Sequence, residues 1–241
     1  MSANTLANTW EVKPSEARRI QEELRKQVVL SPLEGKCSLI AGADISFNKY
    51  EPTVYAGIVV LDIESLQPVA HALAITKVHF PYVPGLLSFR EIPALLQAWK
   101  LLEVKPDVIM ADGHGIAHPR RLGIATHFGL ATNMPSLGLA KKKLVGKYEE
   151  PDSLPGSFSP LEHNNETVGY VYRTKKNVKP VYVSPGFKTD LESALSILRQ
   201  TTGKYRIPEP TRQAHLLVNQ LRRGEIKEGF YRYPASTQLF S

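Results

Sequence analysis

Three acids stand in stretches that would otherwise exclude them. Asp44 lies within CSLIAGADISF (37–47), Glu91 within a helix-like run at about 89–104, and Asp112 directly follows DVIMA (107–111). Alternation in the first run puts Leu39, Ala41, Ala43, Ile45 and Phe47 on one face and Ile40, Gly42, Asp44 and Ser46 on the other. A carboxylate in so apolar a strand is costly to bury unpaired, so Asp44 must face either solvent or a cleft. Glu91 heads the helical stripe 91, 95, 98, 102 instead of opposing it. Ser88-Phe-Arg-Glu91 also has the form of a capping box. In that register Pro93 would fall beyond the first turn and remove a hydrogen bond, so a helix starting one or two residues later is expected, with Glu91 left free. Asp112 ends a buried strand, and Gly113 and Gly115 keep side chains from crowding it, although Asp-Gly also serves as a turn pair. Clustered carboxylates repel unless a cation neutralises them, and oxygen-only ligands favour Mg²⁺ or Mn²⁺ over zinc. Such a site can activate water and stabilise a leaving oxygen in phosphodiester hydrolysis.

The segment DGHGIAHPRRLG (112–123) adds Arg120 and Arg121 near a helix start suited to phosphate. The whole chain is basic, with 30 Lys+Arg against 23 Asp+Glu in 241 residues and a net charge of +7. That balance favours an anionic partner. Residues 204–241 hold seven Lys/Arg against three Glu, which concentrates positive charge near the C-terminus. A single cysteine, Cys37, excludes an internal disulfide and a cysteine-based zinc site. No apolar run approaches membrane-spanning length and the start has no signal-like core, so a soluble cytoplasmic protein with no membrane partner is expected.

The acids need elements to bring them together. A helix at 15–28 is predicted, with Ser15 as N-cap. Three strand-like runs follow (37–47, 54–63, 69–79), joined by short connections that suggest an antiparallel meander. After the loop PYVPGLL (81–87) come the helix at 89–104, strand DVIMA, a helix near 121–132 and strand SLGLA (136–140). A Pro/Gly/Ser-rich loop (151–160) separates a hairpin, TVGYVYRT with KPVYVSP, from helices at about 190–202 and 211–222. Three antiparallel strands, helix, strand, helix, strand is the order of the ribonuclease H-like fold, an α/β mixed sheet with helices on both faces. One domain over residues 1–241 is expected, with a basic C-terminal tail at about 225–241. In that fold the three acids converge on one edge of the sheet.

GADISF, PYVPGLLSFRE, DGHGIAHPRRLGIATHFGL, GLAKKKL and KYRIPEPTR occur in this order. From about residue 10 to 225 the chain resembles the bacterial endonuclease V family through these blocks. The resemblance implies a DNA repair endonuclease with a ribonuclease H-like fold that acts at deaminated bases, chiefly deoxyinosine. It would nick the second phosphodiester bond 3′ to the lesion with Mg²⁺, Mn²⁺ substituting, and leave 5′-phosphate and 3′-hydroxyl ends. By the same resemblance Asp44, Glu91 and Asp112 match metal-binding carboxylates, and Lys141 matches a lysine near the scissile phosphate. His118 and His215 match positions near the site in relatives. Tyr82 matches the tip of a strand-separating wedge, which Pro81 and Pro84 would stiffen. Gly85, Gly113 and Gly138 are candidates for a lesion pocket built on main-chain contacts. KYR stands where the family has GYR. The partner is then DNA with deaminated bases, or inosine-containing RNA, bound by a monomer. The alternatives are an inosine-specific endoribonuclease and another ribonuclease H-like repair nuclease.

Overall fold

The computed structural model describes residues 10–48 and 51–234. Its elements are α1 (Pro14–Arg25), β1 (Leu39–Phe47), β2 (Thr53–Asp62), β3 (Pro68–Lys77), α2 (Leu87–Leu101), β4 (Val108–Asp112), α3 (Ile124–Thr132), β5 (Ser136–Ala140), β6 (Phe158–His163), β7 (Glu166–Tyr172), β8 (Val181–Phe187), α4 (Leu191–Thr201), α5 (Glu209–Arg222) and β9 (Gly229–Arg232). The nine strands form one sheet in the order β6-β7-β8-β5-β4-β1-β2-β3-β9. Strands β1, β4 and β5 are parallel neighbours, and β1-β2-β3 is the expected antiparallel meander. Helices cover both faces, and the fold is ribonuclease H-like.

Each face has its own apolar core. Ala41, Ala43, Ile58, Ala72 and Ile109 pack on Ile92, Leu95 and Ala98 of α2 and Phe128 of α3. On the other face Ile40, Val59, Val108 and Val183 meet Leu195 and Leu198 of α4 and Ala214 of α5. The near-continuous apolar runs of β4 and β5 follow from burial on both sides. Helix α1 packs through Ala17, Ile20 and Leu24 on Phe89 of α2 and on Phe80, Leu86 and Leu122 of the loops before α2 and α3.

Several local expectations are corrected. Helix α1 starts at Pro14 behind Lys13 with no side-chain cap, so Ser15 is not its N-cap; proline fits the first turn, where its missing N–H costs nothing. Helix α2 begins at Leu87, earlier and not later than the capping-box register, and carries Pro93 in its interior. Ser88 therefore caps nothing. It is buried, with its hydroxyl 3.1 Å from His127 Nδ1. The 151–160 loop gives way to strand β6 at Phe158, and β9 forms at the sheet edge within what reads as a tail. Tail residues 235–241 lie outside the described residues.

Candidate active site

Register alone brings two of the acids together. In the parallel β1–β4 pair Ala43 stands opposite Ala111, so Asp44 and Asp112 follow as neighbours at the same end of adjacent strands. Asp44 shares a face with Gly42, and that face is covered by α5. A Cβ on Gly42 would lie 1.8 Å from the Pro210 carbonyl oxygen, so only glycine lets the helix approach this closely. Asp44 is thus only 8% exposed, buried beneath α5 and not turned to solvent.

Helix α5 supplies His215. Its Nδ1 lies 2.8 Å from Asp44 Oδ2, and this bond raises the imidazole's affinity for a proton. Asn219, one turn on, donates from Nδ2 to the His215 carbonyl at 2.7 Å, while its Oδ1 accepts from Ser46 Oγ at 3.0 Å. Lys141, just past β5, donates to Asp112 Oδ2. Burial and the Asp44 charge still raise the Asp112 pKa, against the pull of Lys141.

Among the described residues, ligand atoms of Asp44, Asp112 and His215 lie within 4.8 Å of one another. Glu91 is outside this tight group but faces it from α2. Burial, then the Asp44 and Asp112 charges, push its carboxyl up to about 8. Carboxylates forced together at that electrostatic cost are the donor set a divalent cation fits, because its charge would relieve the repulsion. Asp44, Asp112 and His215 offer the ligand atoms close enough to hold it, with Glu91 facing them from α2.

A cleft of about 300 Å³ opens beside the acids, lined by Tyr82, Pro84, Gly85, Glu91, Asp112 and Gly113 among others. Tyr82 is 62% exposed at its mouth. Gly113 has φ +142° and a Cβ there would sit 2.5 Å from Ile124 Cγ2, so both conformation and space demand glycine. Gly138, on β5, packs beneath the turn that follows Asp112, where a Cβ would meet the 113–115 backbone at about 2.5 Å. Arg120 and Arg121 are tied to protein groups. Arg120 bonds Gln21 and the Gly85 carbonyl, and Arg121, at φ +56°, bonds His163 and Glu166 of the β6–β7 hairpin. His118 lines the cleft, and burial followed by the Arg120 charge holds its imidazole neutral, its pKa down to about 3. Gln21 and Asn219 escaped the sequence reading. For Asn219 the i, i+4 spacing from His215 was an available signal; for Gln21, a polar residue on the apolar face of α1 was.

A mixed sheet of this order, with carboxylates from its first and fourth strands and from the facing helix, defines a ribonuclease H-like nuclease. The Endonuclease V family model matches residues 22–216. An Endonuclease V of Myxococcus xanthus is 51% identical over 226 residues, spanning 93% of this chain and 96% of that one. The solved Endonuclease V of Streptomyces avermitilis superposes with a TM-score of 0.85 at 42% identity, covering 90% of this chain and 96% of its own. That of Ciona intestinalis, solved in complex with a 24mer DNA containing an inosine followed by a ribo-adenosine, gives 0.77 at 27% identity over 88% and 98%. The chain belongs to the Endonuclease V family of metal-dependent nucleases.

Proposed function

We propose that this chain is a DNA repair endonuclease that uses Mg²⁺ to nick the second phosphodiester bond 3′ to deoxyinosine and other deaminated bases. It would leave 5′-phosphate and 3′-hydroxyl ends and act as a cytoplasmic monomer. The observation that carries this reading is the sharing of one cleft by Asp112 and Glu91 with Tyr82, Gly85 and Gly113. A base extruded past Tyr82 would sit against glycine backbone, with its flanking phosphates led toward the acids. A bound divalent ion would supply charge to activate water and to stabilise the leaving oxygen. Lys141 holds a second positive charge beside Asp112, within reach of a phosphate oxygen. Asp44 holds the His215 ring through Nδ1, and Asn219 Nδ2 reaches both ring Nε2 and the His215 carbonyl, which fixes the imidazole beside the acids. Inosine-containing RNA is the second reading, favoured by the ribo-adenosine that follows inosine in the strand bound by the Ciona relative.

Recognition is tested with Tyr82→Ala. Only a duplex must be pried open, so the variant should lose more affinity for inosine in a duplex than in a single strand. The difference should be on the order of 1–3 kcal/mol, the worth of one base–aromatic stack. Equal losses in binding titrations on both substrates would remove the wedge from the reading. A second expectation concerns charge. Arg121 spends its guanidinium on His163 and Glu166, so Arg121→Ala should leave the salt dependence of DNA binding unchanged. Exposed Lys142 or Lys143, changed to Ala, should flatten that log–log slope by about one unit. Affinities measured across a salt series decide between them.

A further inference from the structure

Three donors converge on one main-chain carbonyl at the base of the 81–85 loop. The Gly85 oxygen accepts from Arg120 Nη2 at 2.7 Å, from His118 Nε2 at 3.1 Å and from Gln21 Nε2 at 3.2 Å. The bonding pattern fixes each partner. His118 Nδ1 accepts the Arg120 backbone N–H at 3.2 Å, so Nε2 carries the proton that goes to Gly85. Gln21 Oε1 accepts from Arg120 Nε at 2.5 Å, while its Nε2 also reaches the Leu122 carbonyl at 3.4 Å. A flipped Gln21 amide would set oxygen against oxygen at Gly85 and donor against donor at Arg120.

Within this cluster Gln21 is only 1% exposed and His118 4%, while Gly85 and Arg120 are half-buried at the edge of the cleft. Hydrogen bonds there are worth more than at the surface, and losing one leaves a buried group unsatisfied. It ties together segments far apart in sequence: α1 through Gln21, the 112–123 segment through His118 and Arg120, and the loop that carries Tyr82. Gly85 itself stands at φ +77°, a conformation that favours glycine, and a Cβ there would come within 3.1 Å of Arg120 Nη2. Gln21 lies just outside the residues matched by the family model, which begins at 22.

We propose that Gln21 is a positioning residue for lesion capture: with His118 and Arg120 it latches the Gly85 carbonyl and so sets the Tyr82 loop and the glycine wall of the cleft. The proposal rests on the inosine reading for its substrate. It predicts that the latch acts on binding and not on the chemical step, because the Gln21 hydrogen bonds go to Gly85, Leu122 and Arg120 and not to the acids or Lys141.

The test uses Gln21→Met, close to isosteric without the bonds, and Gln21→Glu, which keeps an acceptor for Arg120 but brings no donor to Gly85. In each variant KM for an inosine duplex should rise about five- to tenfold, the worth of the lost hydrogen bond from Gln21 to the Gly85 carbonyl. The kcat should stay within about twofold and affinity for an inosine-free duplex should not change. In the free protein, amide exchange at Leu86, whose N–H bonds the Val83 carbonyl at 2.9 Å, should quicken while that of β4 does not. A merely structural role would lower kcat and thermal stability together and leave KM alone, and that result overturns the proposal. Unchanged Leu86 exchange overturns the latch whatever the substrate. Quickened Leu86 exchange in a protein that does not prefer inosine would leave the latch standing and defeat the inosine reading instead.

Discussion

Asp44→Asn and Asp112→Asn should each slow cleavage of inosine DNA on the order of 10³-fold, about 4 kcal/mol of barrier, while affinity for that DNA stays within a few-fold. Each change removes a negative oxygen without adding bulk. Asp44 and Asp112 stand side by side at the ends of β1 and β4, and their crowding with Glu91 is what a cation would relieve. Asn at 44 still offers His215 an oxygen, and Asn at 112 still offers one to Lys141, so the fold should persist. Single-turnover rates at saturating enzyme check the first effect, and binding titrations with inosine duplex check the second. Near wild-type nicking by either variant would remove that carboxylate from the metal site.

The second large effect lies in the fold that holds the site. Gly42→Ala should destabilise the protein by about 3 kcal/mol, near the top of the overpacking range. The new methyl would lie 1.8 Å from the Pro210 oxygen and 2.2 Å from its carbonyl carbon, and backbone cannot yield cheaply. The Tm should fall by roughly 6–12 °C. Because α5 would have to lift from β1, the His215–Asp44 contact at 2.8 Å should loosen, and activity should fall even below the melting range. Gly203→Ala is the control: its nearest neighbours lie at 3.5 Å, an ordinary contact, and it should leave Tm almost unchanged. Melting curves of the two variants make the comparison.

Where burial imposes a pattern, the residues disclose the structure. Strand β5 falls on the expected 136–140, because all its residues are buried and its apolar run is bounded by Pro135 and the lysines. The meander is legible for the same reason, and its order led to the fold. Strand β6 is not, since only Ser159 and Leu161 turn inward and Ser159-Pro160 continues the Pro/Gly/Ser-rich stretch that reads as loop. Strand β9 has four residues on an edge, and no apolar alternation announces it.

At the site, the acids were visible because carboxylates in apolar runs violate propensity. The partners of Arg120 and Arg121 were not, because charge in a sequence does not say whether it meets phosphate or protein. Arg121 needs the β6–β7 hairpin, 42 residues away, before its contacts exist. Gly138 illustrates the same limit. Its need to be glycine is real, but what demands it is the backbone of the turn above it.

The most direct measurement uses end-labelled duplexes, identical except for a single deoxyinosine, incubated with the protein and Mg²⁺ and resolved at single-nucleotide resolution. One nick at the second phosphodiester bond 3′ to inosine, with a 3′-hydroxyl end, none in the inosine-free duplex and none once EDTA is added, is the predicted result. Equal cutting of both duplexes, or cutting that persists in EDTA, would contradict it.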